Sequence, residues 1–347
     1  MRGLIYKRKK VRYTISVKEI LCPCIQMRYS MKRRLCSAIL ILTLLLAGCG
    51  GPAAVPKEDG KKELHIVATT YPIYLFTTAV TEGAEGVRVD RLNTGETSCL
   101  HDYTLSVNDM KLLERADVIV MNGVGLEDFM EDALTASDAA VIDCSEGVEL
   151  LENRSHHHDE HDHSHDGHDH GHFDPHIWMS TTNAVIMLGN VANKLAELDP
   201  EHAGIYAENR EAAAELLDSD RIMNAMATAH TSLSSVCTHE ELITFHDGFQ
   251  YFVRAIDLKL LESIEEEAGS EASAKEILEI TALVKEHDIP AIFTEKNGSD
   301  ATANAIARET GCQVLALDMI MSGEGSGIQP YLDAMIQNIQ TVAEAMK

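Results

Sequence analysis

The 347-residue chain carries 29 Lys+Arg against 55 Asp+Glu, a formal charge of −26, with 45% apolar residues. That apolar share excludes wholesale disorder, and no run of 18 apolar residues marks an internal membrane span. Residues 1–48 hold 11 Lys+Arg and one acid while the remainder holds 18 bases and 54 acids, a body that repels nucleic acid and attracts cations.

The head reads as a sorting signal. Met31-Lys32-Arg33-Arg34 is a basic cluster, and Leu35 to Ala47 is a nearly unbroken apolar stretch, too short for a stable membrane anchor but right for secretion. It ends in Leu46-Ala47-Gly48-Cys49, which resembles the lipobox of bacterial lipoproteins and implies cleavage before Cys49 and a lipid on its sulfur. Two acyl chains there suffice for stable attachment to the outer face of the cytoplasmic membrane. Residues 1–48 are therefore read as a signal peptide, with the true start expected at Met31 or Met27 rather than Met1. Residues 49–62 are read as a lipidated polar tether. Of the later cysteines (Cys99, Cys144, Cys237 and Cys312), the last two could pair once exported; free thiols are the alternative.

Beyond the tether, short apolar runs recur at 64–68, 87–92, 118–121 and 140–142, then at 242–245, 291–293 and 314–317. Several lack a wet face, as strands buried on both sides of a parallel sheet do. Between the two groups, Val185, Leu188, Ala192 and Leu195 keep helical spacing after Ser180 and Thr181. Asp199-Pro200 opens a second helical stretch that predicts a linking rod over 200–230, about 45 Å long. The fold expected is α/β: two lobes, 63–199 and 231–347, each with a mainly parallel sheet flanked by helices and joined by that rod. Ligands then gather beyond the carboxyl ends of the strands.

Four residues stand at those ends: His101, His176 in Asp174-Pro175-His176-Ile177-Trp178, His246 in Thr244-Phe245-His246-Asp247-Gly248, and Asp318 after Val314 to Leu317. Singly, each also suits a solvated loop residue or a helix cap. Together, three imidazoles and one carboxylate, two from each lobe, make a complete tetrahedral set for a borderline ion such as Zn²⁺. Glu295, which ends a strand, and Asp247 and Asp102, each next to a candidate histidine, are placed to hold or orient those ligands.

The sequence resembles the solute-binding lipoproteins of zinc and manganese ABC transporters, the ZnuA/TroA-like family. The resemblance runs from Leu64-His65-Ile66-Val67-Ala68-Thr69-Thr70-Tyr71-Pro72 to the last helix, and Asp174-Pro175-His176-Ile177-Trp178 is its most specific motif. Ala116 to Glu127 is similar to the family's segment after its first ligand. The resemblance implies that His101, His176, His246 and Asp318 bind the ion between the lobes, and that a membrane permease is the partner. In this family a proline usually precedes the first histidine, whereas Cys99-Leu100 precede His101 here. Manganese members often carry Glu where His246 stands, so the third imidazole leans toward Zn²⁺, with Mn²⁺ the alternative cargo.

Residues 155–172 hold nine of the 17 histidines: His156, His157, His158, His161, His163, His165, His168, His170 and His172. With no apolar residue the insert cannot pack, and interleaved acids suit weak binding of several ions in an auxiliary loop. A monomeric zinc receptor rather than an enzyme is expected. A surface zinc hydrolase lacks support, since there is neither His-Glu-x-x-His nor Gly-x-Ser-x-Gly. A buffer driven by the insert alone is the third reading.

Overall fold

Apolar runs in the first half form β1 (Leu64–Ala68), β2 (Val87–Arg91), β3 (Val118–Met121) and β4 (Ala140–Asp143), all parallel, in the order β2-β1-β3-β4. The second half repeats the scheme with β5 (Glu241–His246), β6 (Lys259–Glu265), β7 (Ala291–Glu295) and β8 (Gln313–Leu317), parallel and ordered β6-β5-β7-β8. The computed structural model describes residues 63–92, 103–154, 172–219, 221–227, 241–265 and 273–346. The signal segment, Cys49, the tether and His101 with Asp102 lie outside those residues. So do Cys99, Cys237 and all the insert's histidines except His172.

Helices cross between the strands. They are α1 (Tyr71–Thr81), α2 (Val107–Arg115), α3 (Glu131–Ala136), α4 (Thr181–Leu198), α5 (Ala203–Leu217), α6 (Gln250–Ala255), α7 (Ala274–Glu286), α8 (Ala301–Thr310) and α9 (Gln329–Ala345). Their starts follow local chemistry. Thr70 caps α1 by accepting from the N–H of Ile73, with Pro72 in the first turn, while Ser106 and Ser273 form reciprocal capping boxes with Asp109 and Glu276.

Each sheet is covered on two faces. Val67 and Ile119 turn outward onto Leu92, Leu113 and Met130; in the second lobe Ile243, Phe245 and Ile292 turn onto Ile280, Val284 and Ile306. The opposite faces, Ile66, Ala68 and Val120 in one sheet and Leu242, Ala291 and Phe293 in the other, belong to one continuous core with the fully buried Trp178 and Tyr331. This is the α/β two-lobe fold expected from the sequence. Hydrogen bonds cross between lobes at Trp178 Nε1 to Met319 O (2.8 Å) and Tyr331 Oη to Trp178 O (2.7 Å). A shared core and such bonds oppose wide opening.

Two features differ from expectation. The single rod over 200–230 is replaced by α5, which ends at Leu217, and a further helical run at 221–227. Asp218 and Ser219 interrupt it: Ser219 donates its N–H to Leu216 O, and its own carbonyl accepts from Met223 N. Such short polar side chains favour turns over helix interiors. α5 also packs against α1 and α4 rather than standing free. Strand β6 is not among the apolar runs of the sequence, because Glu262 and Glu265 break up Leu260, Leu261 and Ile264; pairing with β5 makes it a strand. Among the described residues Cys144 and Cys312 are free thiols, and no helix is long and apolar enough to cross a membrane.

Candidate metal centre

In each sheet the strand order reverses beside the central strand, leaving a crevice at the carboxyl ends of β1 and β3 and of β5 and β7. His246 closes β5 and Glu295 closes β7. His176 arrives from the other lobe, on the short turn before Ile177 that leads into α4. Its Nε2 lies 3.4 Å from Nε2 of His246, with the two rings nearly perpendicular. Both histidines are buried.

The tautomer at His176 follows from its neighbour. Nδ1 is 2.7 Å from Asp174 Oδ1, which also accepts the His176 backbone N–H at 2.9 Å. Donating through Nδ1 leaves a lone pair on Nε2, aimed at His246. Asp174 is held in turn by Gln250, whose Nε2 donates to Oδ2 at 3.1 Å, and by Tyr251, whose hydroxyl donates to the Asp174 carbonyl. Since Gln250 begins the helix after His246, this network ties the two histidines together across the lobes. Burial disfavours a charged His176, but Asp174, with Asp247 and Glu295, outweighs that and raises its pKa above the ordinary value.

Carboxylates surround the pair. Glu295 Oε1 is 3.8 Å from His246 Nε2, and Asp247 Oδ1 is 3.8 Å from His246 Nδ1, too far for the direct orienting bond expected of Asp247. Asp247 instead offers an oxygen to the cluster: single ligand atoms of His176, His246 and Asp247 all lie within 4.8 Å of one another. Asp318 lines a small recess with Glu295, Lys296 and Met319. Its Oδ1 accepts from Ile320 N at 2.8 Å and its Oδ2 from Lys296 Nζ at 3.0 Å. Its backbone is fixed in both directions by the amide of Asn338. His101 and Asp102 lie outside the described residues, as does the insert at 155–171. The insert's ends are pinned by Asn153 N to His172 O (3.0 Å), four residues before His176.

Sequence reasoning passed over Asp174 and Gln250. Asp174 had a signal, an acid two residues before a histidine and locked by the intervening proline. Gln250 had none. Gly248 has a steric role: a Cβ there would sit 2.4 Å from Met319 Cε and 2.8 Å from His176 Cδ2. The methionine tip can yield, whereas the imidazole is held by Asp174. Gly248→Ala is therefore expected to weaken metal binding about tenfold and to cost about 1–3 kcal/mol of stability. Chelator competition and denaturant unfolding read the two effects.

A family model described as zinc-uptake complex component A, periplasmic, matches residues 66–345. The chain belongs to that family. Members are metal-binding components of transport systems, and this chain is a metal-binding solute receptor of the ZnuA, AdcA and MntA kind. It is 28% identical over 312 residues to the high-affinity zinc uptake system protein ZnuA of Bacillus subtilis, covering 87% of this chain and 94% of that one. It is also 27% identical over 329 residues to the manganese-binding lipoprotein MntA of the same organism, covering 91% and 100%. A crystal structure of ZnuA superposes with a TM-score of 0.67 at 25% identity, covering 82% of this chain and all of that one. FpvC of Pseudomonas aeruginosa, solved with Mn²⁺, gives 0.68 at 25% identity, covering 82% and 99%.

Proposed function

We propose that this chain captures Zn²⁺ outside the cytoplasmic membrane and delivers it to an ABC-transporter permease. The observation that carries the choice of ion is the pairing of two buried imidazoles, His176 and His246, with their Nε2 atoms 3.4 Å apart, a nitrogen-rich set that suits borderline Zn²⁺ better than the harder Mn²⁺. A tetrahedral zinc with bonds of about 2.0–2.1 Å separates its nitrogens by about 3.3–3.4 Å. An imidazole pair at that spacing suits one edge of a zinc tetrahedron. Relatives named for zinc and for manganese match alike, so the donor set rather than kinship carries the choice.

His101, His176, His246 and Asp318 are the proposed ligands, with Asp174 orienting His176. For Asp318 to bind, the cation must displace Lys296 from its Oδ2. Four protein ligands close the shell, which leaves no position for a reactive water. Lipid on Cys49 would keep the receptor, as a monomer, beside its permease. The histidine insert, entering four residues from His176, would act as a weak auxiliary store.

The test is metal analysis of protein purified without chelator, alongside a form lacking residues 155–172. One zinc per chain retained in both is the expected result. Loss of tight binding with the insert would support the buffer reading instead, and retention of manganese in place of zinc would overturn the choice of ion.

A further inference from the structure

The turn after β3 holds three successive residues in the left-handed region: Gly123 (φ 85), Val124 (φ 58) and Gly125 (φ 78). Glycine adopts that backbone freely, but β-branched Val124 is strained there. Gly123 is also locked in place, because a Cβ would fall 2.1 Å from Asp143 Oδ1 and 2.6 Å from Ser145 Oγ. Something must hold this conformation.

Glu127 does so from within. Only 2% exposed, it accepts from Thr69 Oγ1 (2.7 Å) and Asn122 N (2.7 Å) through Oε1, and from Gly123 N (3.0 Å) through Oε2. One carboxyl group thereby joins the residue after β1 to the residues after β3. Asn122, fully buried, faces the other way: its Nδ2 donates to Gly123 O (3.0 Å) and to Pro175 O (2.9 Å). Pro175 directly precedes His176. Burial pushes the Glu127 carboxyl up to about 7 although the three donors pull it down. No direct contact with the imidazoles is involved.

We propose that Glu127 is a positioning residue for metal capture: it secures the strained turn that aims Asn122 at Pro175, and so fixes the peptide from which His176 points its Nε2. The inference rests on the zinc reading in taking His176 as a ligand. Strain beside a binding site, stabilised by a group with no contact to the ion, is the pattern expected where geometry is preset before the ligand arrives.

Zinc affinity by chelator competition, the visible absorption of the Co²⁺-loaded protein and the metal-free melting temperature would be measured for Glu127→Gln, Asn122→Ala and Val124→Gly. Glu127→Gln and Asn122→Ala are each expected to weaken zinc about 10–100-fold and to alter the Co²⁺ bands, which report ligand geometry. Val124→Gly loosens the turn but leaves every hydrogen bond of the network in place, so zinc should weaken far less than in Asn122→Ala; an equal loss would overturn the part given to Asn122. Unchanged affinity and unchanged Co²⁺ bands in Asn122→Ala overturn the proposal, whatever happens to the melting temperature. Should Glu127→Gln not fold, Asn122→Ala decides alone. A His176→Ala control separates the two levels. If it binds zinc normally, the zinc reading and this inference fall together; if it loses zinc while Asn122→Ala does not, only this inference falls.

Discussion

His176→Ala is expected to lower zinc affinity by about 10²–10³-fold in a chain that still folds. Four-ligand zinc sites yield about 10–16 kcal/mol on binding, so each ligand accounts for about 2.5–4 kcal/mol, and each 1.4 kcal/mol is tenfold in affinity. The loss is concentrated at His176 because its Nε2 is presented ready-made by the bond from Nδ1 to Asp174. The substitution also removes one of three hydrogen bonds to the buried Asp174 carboxyl, which costs about 1 kcal/mol of stability. The broad core of both lobes absorbs that cost, so the variant should unfold cooperatively at a lower melting temperature. Titration against a chelator in a form lacking residues 155–172 isolates the tight site. Binding at parental strength would remove His176 from the ligand set, and with it the proposed zinc site.

The strands were legible because parallel strands buried on two faces are nearly uniform apolar runs, as in Ile66-Val67-Ala68 and Ala291-Ile292-Phe293. Strand β6 was hidden because acids break up the apolar residues of Lys259-Leu260-Leu261-Glu262-Ser263-Ile264-Glu265, and only its partner β5 makes it a strand. The rod failed for a local reason: two short polar residues, Asp218 and Ser219, offered the backbone a turn inside a long helical pattern. His176 and His246 could be read as a pair because each stands where a strand or loop meets a helix, the end at which such sheets collect ligands. The groups that orient them could not. Asp174 is fixed by Gln250 from 76 residues away, and Glu127 reaches His176 only through Asn122 and Pro175, a path that exists in space and not in sequence.

Zinc binding is expected to weaken as pH falls, and to begin doing so above the ordinary imidazole value of 6.5. Burial alone would favour neutral His176, but the carboxylate of Asp174 at 2.7 Å, reinforced by Asp247 and Glu295, holds its proton more tightly than the unfolded chain does. In the metal-free protein that proton stabilises the fold; the contribution is complete below the unfolded pKa and is lost as pH rises through the folded one. Zinc reverses the sign, because the proton and the cation compete for the gap between the two Nε2 atoms. Below the folded pKa of His176, each unit of pH should therefore cost about tenfold in affinity. The rise in melting temperature on adding zinc should shrink as pH falls through the raised pKa of His176, while the contribution of this pair to the metal-free protein grows. Asp174→Asn removes the partner that raises the pKa most, so its affinity should start to fall at a lower pH, from a weaker starting value. An affinity that stays flat to about pH 6 in the parent protein, or a fall at the same pH in Asp174→Asn, would show that Asp174 does not set the proton competition at His176.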